Sequence, residues 1–268
     1  MTENEITSTQ NPRVKHLTAL QQKSALRRSE GLFVVEGRRE LEHCLEAGFR
    51  LGEVYVCPDL MDADHKVIDE ALARVGESNV FRVSPAVYNK LAYRGTTEGV
   101  VATVHSRQLS LEQLPLGENP LLIVLESVEK PGNLGAVLRS ADAAKADAVI
   151  VCDPLTDLFN PNLIRSSIGA VFTVPTVACT SEECIAFFKQ RGIQILTAQL
   201  QDSHLYYETP MTGPTAIVMG TESTGLTQQW REAATAHIRI PMLGRLDSLN
   251  VSVSAAILLF EAVRQRQQ

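Results

Sequence analysis

From residue 121 onward the chain alternates short, unbroken apolar runs with stretches of helical periodicity, and this alternation restricts the fold more than any other feature. The runs fall at 121–125, 148–151, 172–174, 193–196, 216–219 and 238–240. A strand with one wet face alternates apolar and polar residues, whereas a strand that is apolar throughout must be covered on both faces. Six such runs separated by helices predict an α/β domain built on a mostly parallel sheet. Thr180-Ser181-Glu182-Glu183 supplies a capping box for the helix that closes at Gly192. Ligands of such sheets gather outside the carboxyl ends of the strands, so those ends are where chemistry is to be sought.

The first hundred residues read as a second, smaller α/β domain. Strands are expected at 32–35, 53–57, 80–83 and 99–104, and helices at 38–47, where Gly48 stops the chain, and at 66–75. Ser84 caps a further helix that has Pro85 at its first position and runs to about Ala92. A loop follows at 93–97. Pro115, Gly117 and Pro120 punctuate a polar stretch, so the expected division is a domain at 1–105, a linker at 106–118 and a domain at 119–268. Residues 10–28 contain Arg13, Lys15, Lys23, Arg27 and Arg28 and no acidic residue, with Leu17, Leu20 and Leu26 forming a partial helical stripe. Two readings of this basic helix stay open: a phosphate-facing surface, or a solvated helix face.

With 268 residues, 44% of them hydrophobic, the chain can bury a sizeable core, and its net charge of −6 excludes a protein that coats nucleic acid indiscriminately. A polyanionic partner would have to meet a local patch. The five cysteines, Cys44, Cys57, Cys152, Cys179 and Cys184, form no C-x-x-C pair and have no histidine at zinc spacing. They are expected to act as small core hydrophobes in a reducing compartment, with no metal site. The amino terminus lacks a basic start and apolar run, and no run approaches the ~18 apolar residues of a membrane span. A cytoplasmic protein without membrane contact is expected.

Three strand ends carry polar text. After the run at 121–125, Asn133, Gly135 and Arg139 open a helix whose buried stripe is Leu134, Val137, Leu138, Ala141 and Ala144. After the run at 216–219, Gly220 and Gly225 flank Glu222, which is compatible with a plain structural turn or with a ligand loop. After the run at 238–240, Ile240-Pro241-Met242 leads to Ser248-Leu249-Asn250 and a long apolar helix. Ser248 is the expected N-cap, and the donors and positive dipole end there suit a ligand or simply a capped core helix. Arg165, in the polar-to-small segment 160–170, is placed near the same edge. Neither a G-x-G-x-x-G fingerprint nor a G-K-[ST] loop is present, which weakens the dinucleotide and P-loop readings.

Taken in order, N-x-G-x-x-x-R at 133–139, G-x-E-x-x-G-L at 220–226 and I-P-M followed by S-L-N-V-S-V at 240–253 closely resemble the SpoU-type (TrmH-like) RNA ribose 2′-O-methyltransferases of the SPOUT class. The resemblance covers roughly 119–266, with Ser254 standing where alanine is expected. N-P-x-V-K at 11–15 and F-x-x-E-G-x-R at 33–39 resemble the small substrate-binding domain that many members carry in front. The resemblance implies a carboxyl-terminal trefoil knot, S-adenosyl-L-methionine as cofactor, a homodimer and an RNA substrate, ribosomal RNA in preference to transfer RNA. It implies a catalytic set of Asn133, Arg139, Glu222, Ser248 and Asn250, and a cofactor pocket lined by Gly220, Ile240 and Leu249 with Thr197 at a neighbouring strand end. RNA would be met by Arg13, Lys15, Lys23, Arg27, Arg28, Arg38 and Arg165. A non-catalytic RNA-binding or ribosome-assembly protein on the same fold would show eroded motifs, and these are intact; a methyltransferase that protects ribosomal RNA against an antibiotic is an alternative within the same chemistry.

Overall fold

The structure is a computed structural model that describes residues 4–61, 66–92, 98–221, 224–245 and 248–267. The chain forms two compact units, one of Met1–Arg107 with Phe159–Thr173, the other of Gln108–Leu158 with Val174–Gln268.

In the first unit the elements are β1 (Glu5–Ile6), α1 (Pro12–Gln22), α2 (Ser24–Glu30), β2 (Leu32–Glu36), α3 (Arg38–Glu46), β3 (Leu51–Val56), α4 (Lys66–Val75), β4 (Val80–Val83), α5 (Pro85–Leu91) and β5 (Val100–His105). The five strands pair in the order β1-β4-β3-β5-β2. β3 and β4 run parallel, and β5 lies antiparallel to both β2 and β3. Val34 and Tyr55 join the core under α1 and α5, made by Val14, Leu17, Leu20, Val87, Tyr88 and Leu91. Phe33, next to Val34 and so on the opposite face of β2, stacks on Phe159 at 4.3 Å between ring centroids and lies 5.9 Å from Phe172.

The basic segment is two helices rather than one. Asn11 caps α1 by accepting from the Arg13 N–H at 2.9 Å, and the helix breaks at Lys23, which is extended. Arg27 then folds back and donates to the carbonyls of Leu20 at 2.5 Å and Gln21 at 3.0 Å, so it satisfies the orphan end of α1 and is only 4% exposed. Its place on an RNA-facing surface is therefore corrected: Arg27 is a buried structural group.

In the second unit β6 (Leu121–Glu126) is followed by α6 (Pro131–Ala143) and β7 (Ala148–Cys152). The chain then supplies α7 (Pro161–Ser166) and α8 (Ala170–Thr173) to the first unit. It returns as β8 (Thr176–Cys179), α9 (Ser181–Arg191), β9 (Gln194–Ala198), β10 (His204–Leu205), β11 (Thr215–Met219), α10 (Gln228–Ala233), β12 (Ala236–Arg239) and α11 (Val251–Arg266). Seven strands form one sheet in the order β10-β12-β9-β11-β6-β7-β8, and every pairing is parallel. The expected mixed α/β chain with a parallel sheet is what the structure contains.

α6 and α11 pack together on one face, burying Leu134, Val137 and Leu138 with Ala255, Leu258 and Leu259. On the other face Phe187, Phe188 and Trp230 of α9 and α10 join the strand core. Arg266 ties the end of α11 to the carbonyls of Asn119 and Gly213, both at 2.7 Å, and of Met211 at 2.9 Å. That bracket fixes α11 along its axis and hence places its amino-terminal end.

Two expectations are corrected. The run at 172–174 is not a strand: Phe172 belongs to α8, drawn into the aromatic cluster with Phe33 and Phe49, and the strand begins at Thr176. The stretch read as a linker is partly packed, because Leu111 and Leu114 enter the core of the second unit and Ser110 and Gln113 form a capping box.

Candidate active site

At the carboxyl edge of the parallel sheet three chain segments meet. After β6, Ser127 takes a left-handed conformation (φ 51°) and the turn leads into α6, with Asn133 in its first turn. After β11, Gly220 is pressed against the returning turn: an added Cβ would lie 2.2 Å from the Gly225 carbonyl carbon and 2.5 Å from the Leu226 nitrogen. No other residue fits there without moving backbone. Thr221 and Gly225 exchange N–H···O bonds of 3.3 and 3.1 Å, and Gly225 needs its positive φ of 68° to close that turn. Below it Glu126, 2% exposed, accepts from the Thr227 N–H at 2.9 Å and the Thr227 hydroxyl at 2.6 Å. The end of β6 thus anchors the glycine turn that follows β11.

The third segment brings Ser248, Leu249 and Asn250 to the start of α11. The N-cap is Asn250, not Ser248: its side chain accepts from the Ser252 N–H at 3.0 Å and from the Ser252 hydroxyl at 2.6 Å. Asn250 Nδ2 also donates to Asn133 Oδ1 at 3.2 Å, joining residues 117 positions apart. Beside this contact a cavity of about 120 Å³ is lined by Ser127, Lys130, Asn133, Gly220, Thr221 and Val251, so all three segments adjoin.

Next to it lies a larger pocket of about 760 Å³, a volume suited to a small molecule of nucleoside size. Its walls include Gly220, Ile240 and Leu249, expected there from the sequence, and Ser248 and Asn250 of the expected catalytic set. Met219, Leu226, Ile238 and Leu258 give it an apolar side. Among its lining residues Gln199 and Arg231 each hold a buried polar atom, Oε1 and Nε respectively, with no hydrogen-bond partner among the described residues. Buried polar atoms are nearly always paired, with protein, water or ligand, so both are available to a molecule that enters the pocket. The residues present therefore fit a cofactor that combines a flat apolar ring with hydrogen-bonding edges.

Other expected residues do not line the pocket. Thr197 is fully buried inside β9 and shares a 2.6 Å hydrogen bond with His237 Nδ1, so its place in the pocket wall falls to Ala198 and Gln199. Arg139 is exposed on α6 and makes no ion pair among the described residues. Glu222 lies outside the described residues. Arg165 sits on α7, in the segment that belongs to the first unit. Lys15, Lys23 and Arg28 are exposed, Arg38 is half-buried, and Arg13 pairs with Glu53 while lying 4.3 Å over the Phe81 ring. Gln199 was discoverable from its position at a strand end. Arg231, alone on a helix without neighbouring motif residues, gave no signal.

An all-parallel α/β sheet whose carboxyl edge carries a nucleoside-sized pocket, a glycine turn and two bonded asparagines defines a cofactor-binding α/β protein. The chain belongs to the SpoU rRNA methylase family, which it matches over residues 120–260. Residues 11–102 match the MRM3-like substrate binding domain. The chain is 37% identical to the 23S rRNA (guanosine-2′-O-)-methyltransferase RlmB of Photobacterium profundum over 81% of this chain and 91% of that one. Among solved structures, it resembles an RNA 2′-O ribose methyltransferase at 40% identity with a TM-score of 0.84, covering 98% of this chain and 100% of the other. An S-adenosylmethionine-bound rRNA methyltransferase from Sinorhizobium meliloti matches at 31% identity and a TM-score of 0.88, covering 97% of both chains.

Proposed function

We infer that this chain transfers a methyl group from S-adenosylmethionine to a ribose 2′-hydroxyl of ribosomal RNA, with a guanosine of the large-subunit RNA as target. The observation that carries the reading is the Asn133–Asn250 hydrogen bond, which locks two motif segments together beside a pocket walled by Gly220, Ile240 and Leu249. When bound, S-adenosylmethionine supplies an electrophilic sulfonium methyl. The protein's part is alignment and proton handling.

Gly220 and Gly225 let the chain turn tightly at the pocket wall, and Gln199 and Arg231 offer polar atoms unpaired among the described residues. Arg139 holds an RNA phosphate and the developing negative charge on the ribose oxygen. A guanidinium stays protonated under physiological conditions and is a poor base, so the clamp is the better role. Glu222, with Ser248 and Asn250, orients that arginine or relays the proton. Lys15, Lys23 and Arg28, exposed on α1, between α1 and α2, and on α2, meet the RNA backbone in an otherwise acidic protein. The family resemblance supports a knotted carboxyl-terminal domain and a homodimer in the cytoplasm; no helix among the described residues is long and apolar enough to cross a membrane.

The test is methyl transfer from labelled S-adenosylmethionine to ribosomal RNA lacking this modification, together with mapping of 2′-O-methyl positions in cells with and without the gene. Arg139→Ala should lower transfer at least about 100-fold while leaving cofactor affinity within about twofold of wild type. Equal loss of both would remove the clamp role, and a missing methyl found in transfer RNA instead would remove the substrate assignment.

A further inference from the structure

We propose that Cys152, Cys179 and Cys184 form a binding site for a soft, thiophilic d10 metal ion, Cu(I) or Zn(II), in the second unit. The proposal is independent of the methyltransferase reading and uses residues that reading leaves idle.

The sequence hides the cluster, because the three cysteines are separated by 26 and 4 other residues and match no ligand spacing. Folding brings their sulfurs within 4.8 Å of one another, and Cys152 Sγ lies 4.0 Å from Cys179 Sγ. Thiolates bind such ions at about 2.3 Å, so three of them around one centre sit about 4 Å apart. The sulfurs thus already stand close to the required triangle. Soft sulfur ligands select Cu(I) and Zn(II) over the hard cations.

The scaffold is rigid. Cys152 and Cys179 are register partners at the last positions of neighbouring strands β7 and β8. Cys184 lies in the first turns of α9, whose start is fixed by the capping box of Thr180 and Glu183. Cys179 is the half-exposed member and also lines a cleft of about 510 Å³ with Leu109, Glu112 and Glu183, which provides an entry path and room for a water as fourth ligand. Each coordinating thiol releases its proton to solvent, and no electron is transferred. A purely apolar role would call for small volume at each position, not for three sulfurs converging on one point beside an opening.

The experiment titrates the full-length, reduced protein under anaerobic conditions with Cu(I) against a chromophoric Cu(I) chelator, and separately with Zn(II) against a zinc chelator. One equivalent of one of the two ions should bind, with affinity falling at least about 100-fold in Cys179→Ser and in Cys152→Ala. Cys44→Ser, in the first unit where burial pushes that thiol up to about 12, should bind as wild type does. Should Cys152→Ala fail to fold, the half-exposed Cys179→Ser variant and X-ray absorption on the wild-type complex still decide: sulfur neighbours at about 2.3 Å support the site. Failure of both ions to compete with the chelators, unchanged binding in Cys179→Ser, or a coordination shell of nitrogen and oxygen alone would overturn it.

Discussion

In the first unit the conspicuous arginines are turned toward the protein itself. Arg27 serves the carbonyls of Leu20 and Gln21, Arg13 meets Glu53, and Arg74 donates to the Leu45 carbonyl at 3.1 Å. In the second unit the polar groups are less committed: Arg139 on α6 is exposed and without an ion pair among the described residues, and in the pocket wall Gln199 Oε1 and Arg231 Nε are buried with no hydrogen-bond partner among the described residues. A folded chain without a ligand has no reason to leave such atoms unmet. The difference separates cations that hold the fold from polar groups held ready for something else, a distinction that residue type alone does not make.

The contrast can be broken at its strongest point by closing the pocket side. Gly220→Ala places a methyl group 2.2 Å from the Gly225 carbonyl carbon and must displace the turn. S-adenosylmethionine at 100-fold over its dissociation constant should stabilise wild type by about 2.7 kcal/mol; this gain should vanish in the variant, a loss of at least about 100-fold in affinity. A variant that keeps the full thermal shift would show that the glycine turn does not border the cofactor. On the other side, Arg27→Met should cost about 2–3 kcal/mol in chemical denaturation, because two carbonyls lose a charged donor. Arg28→Met, its exposed neighbour, should leave the midpoint unchanged, and matching midpoints for the two variants would erase the distinction. The smallest effect is expected for Asn250→Ala, about 1 kcal/mol from the lost cap. It should also reduce the turnover rate more than it raises KM, since it removes the bond that joins α11 to Asn133; a change in KM alone would place Asn250 in RNA binding.

The central strands of the second unit were legible because each is buried on both faces. β6, β7 and β11 have every residue buried and read as unbroken apolar runs. The edge strands were not: β8 contains two half-buried residues and one exposed residue, and β10 is two residues long with none buried. The 172–174 run misled because Phe172 and Val174 suit a strand locally, while Phe33 and Phe49, more than a hundred positions away, decide the matter. The motif residues were legible as motifs, but their convergence was not, since the Asn133–Asn250 contact depends on the whole sheet between them. Ser248 and Asn250 are equally good caps by residue type, and the hydrogen bonds to Ser252 show which of them the backbone selects.

The loan of Phe159–Thr173 to the first unit has a bearing on synthesis. Phe33 is stacked on Phe159 and Phe49 lies 5.3 Å from Phe172, so a chain that ends at residue 107 leaves both rings facing water. As the nascent polypeptide leaves the ribosome, its amino-terminal half cannot finish folding until residue 173 has emerged. β6, α6 and β7 come out before that point, so the first unit closes only after part of the second has already left the ribosome.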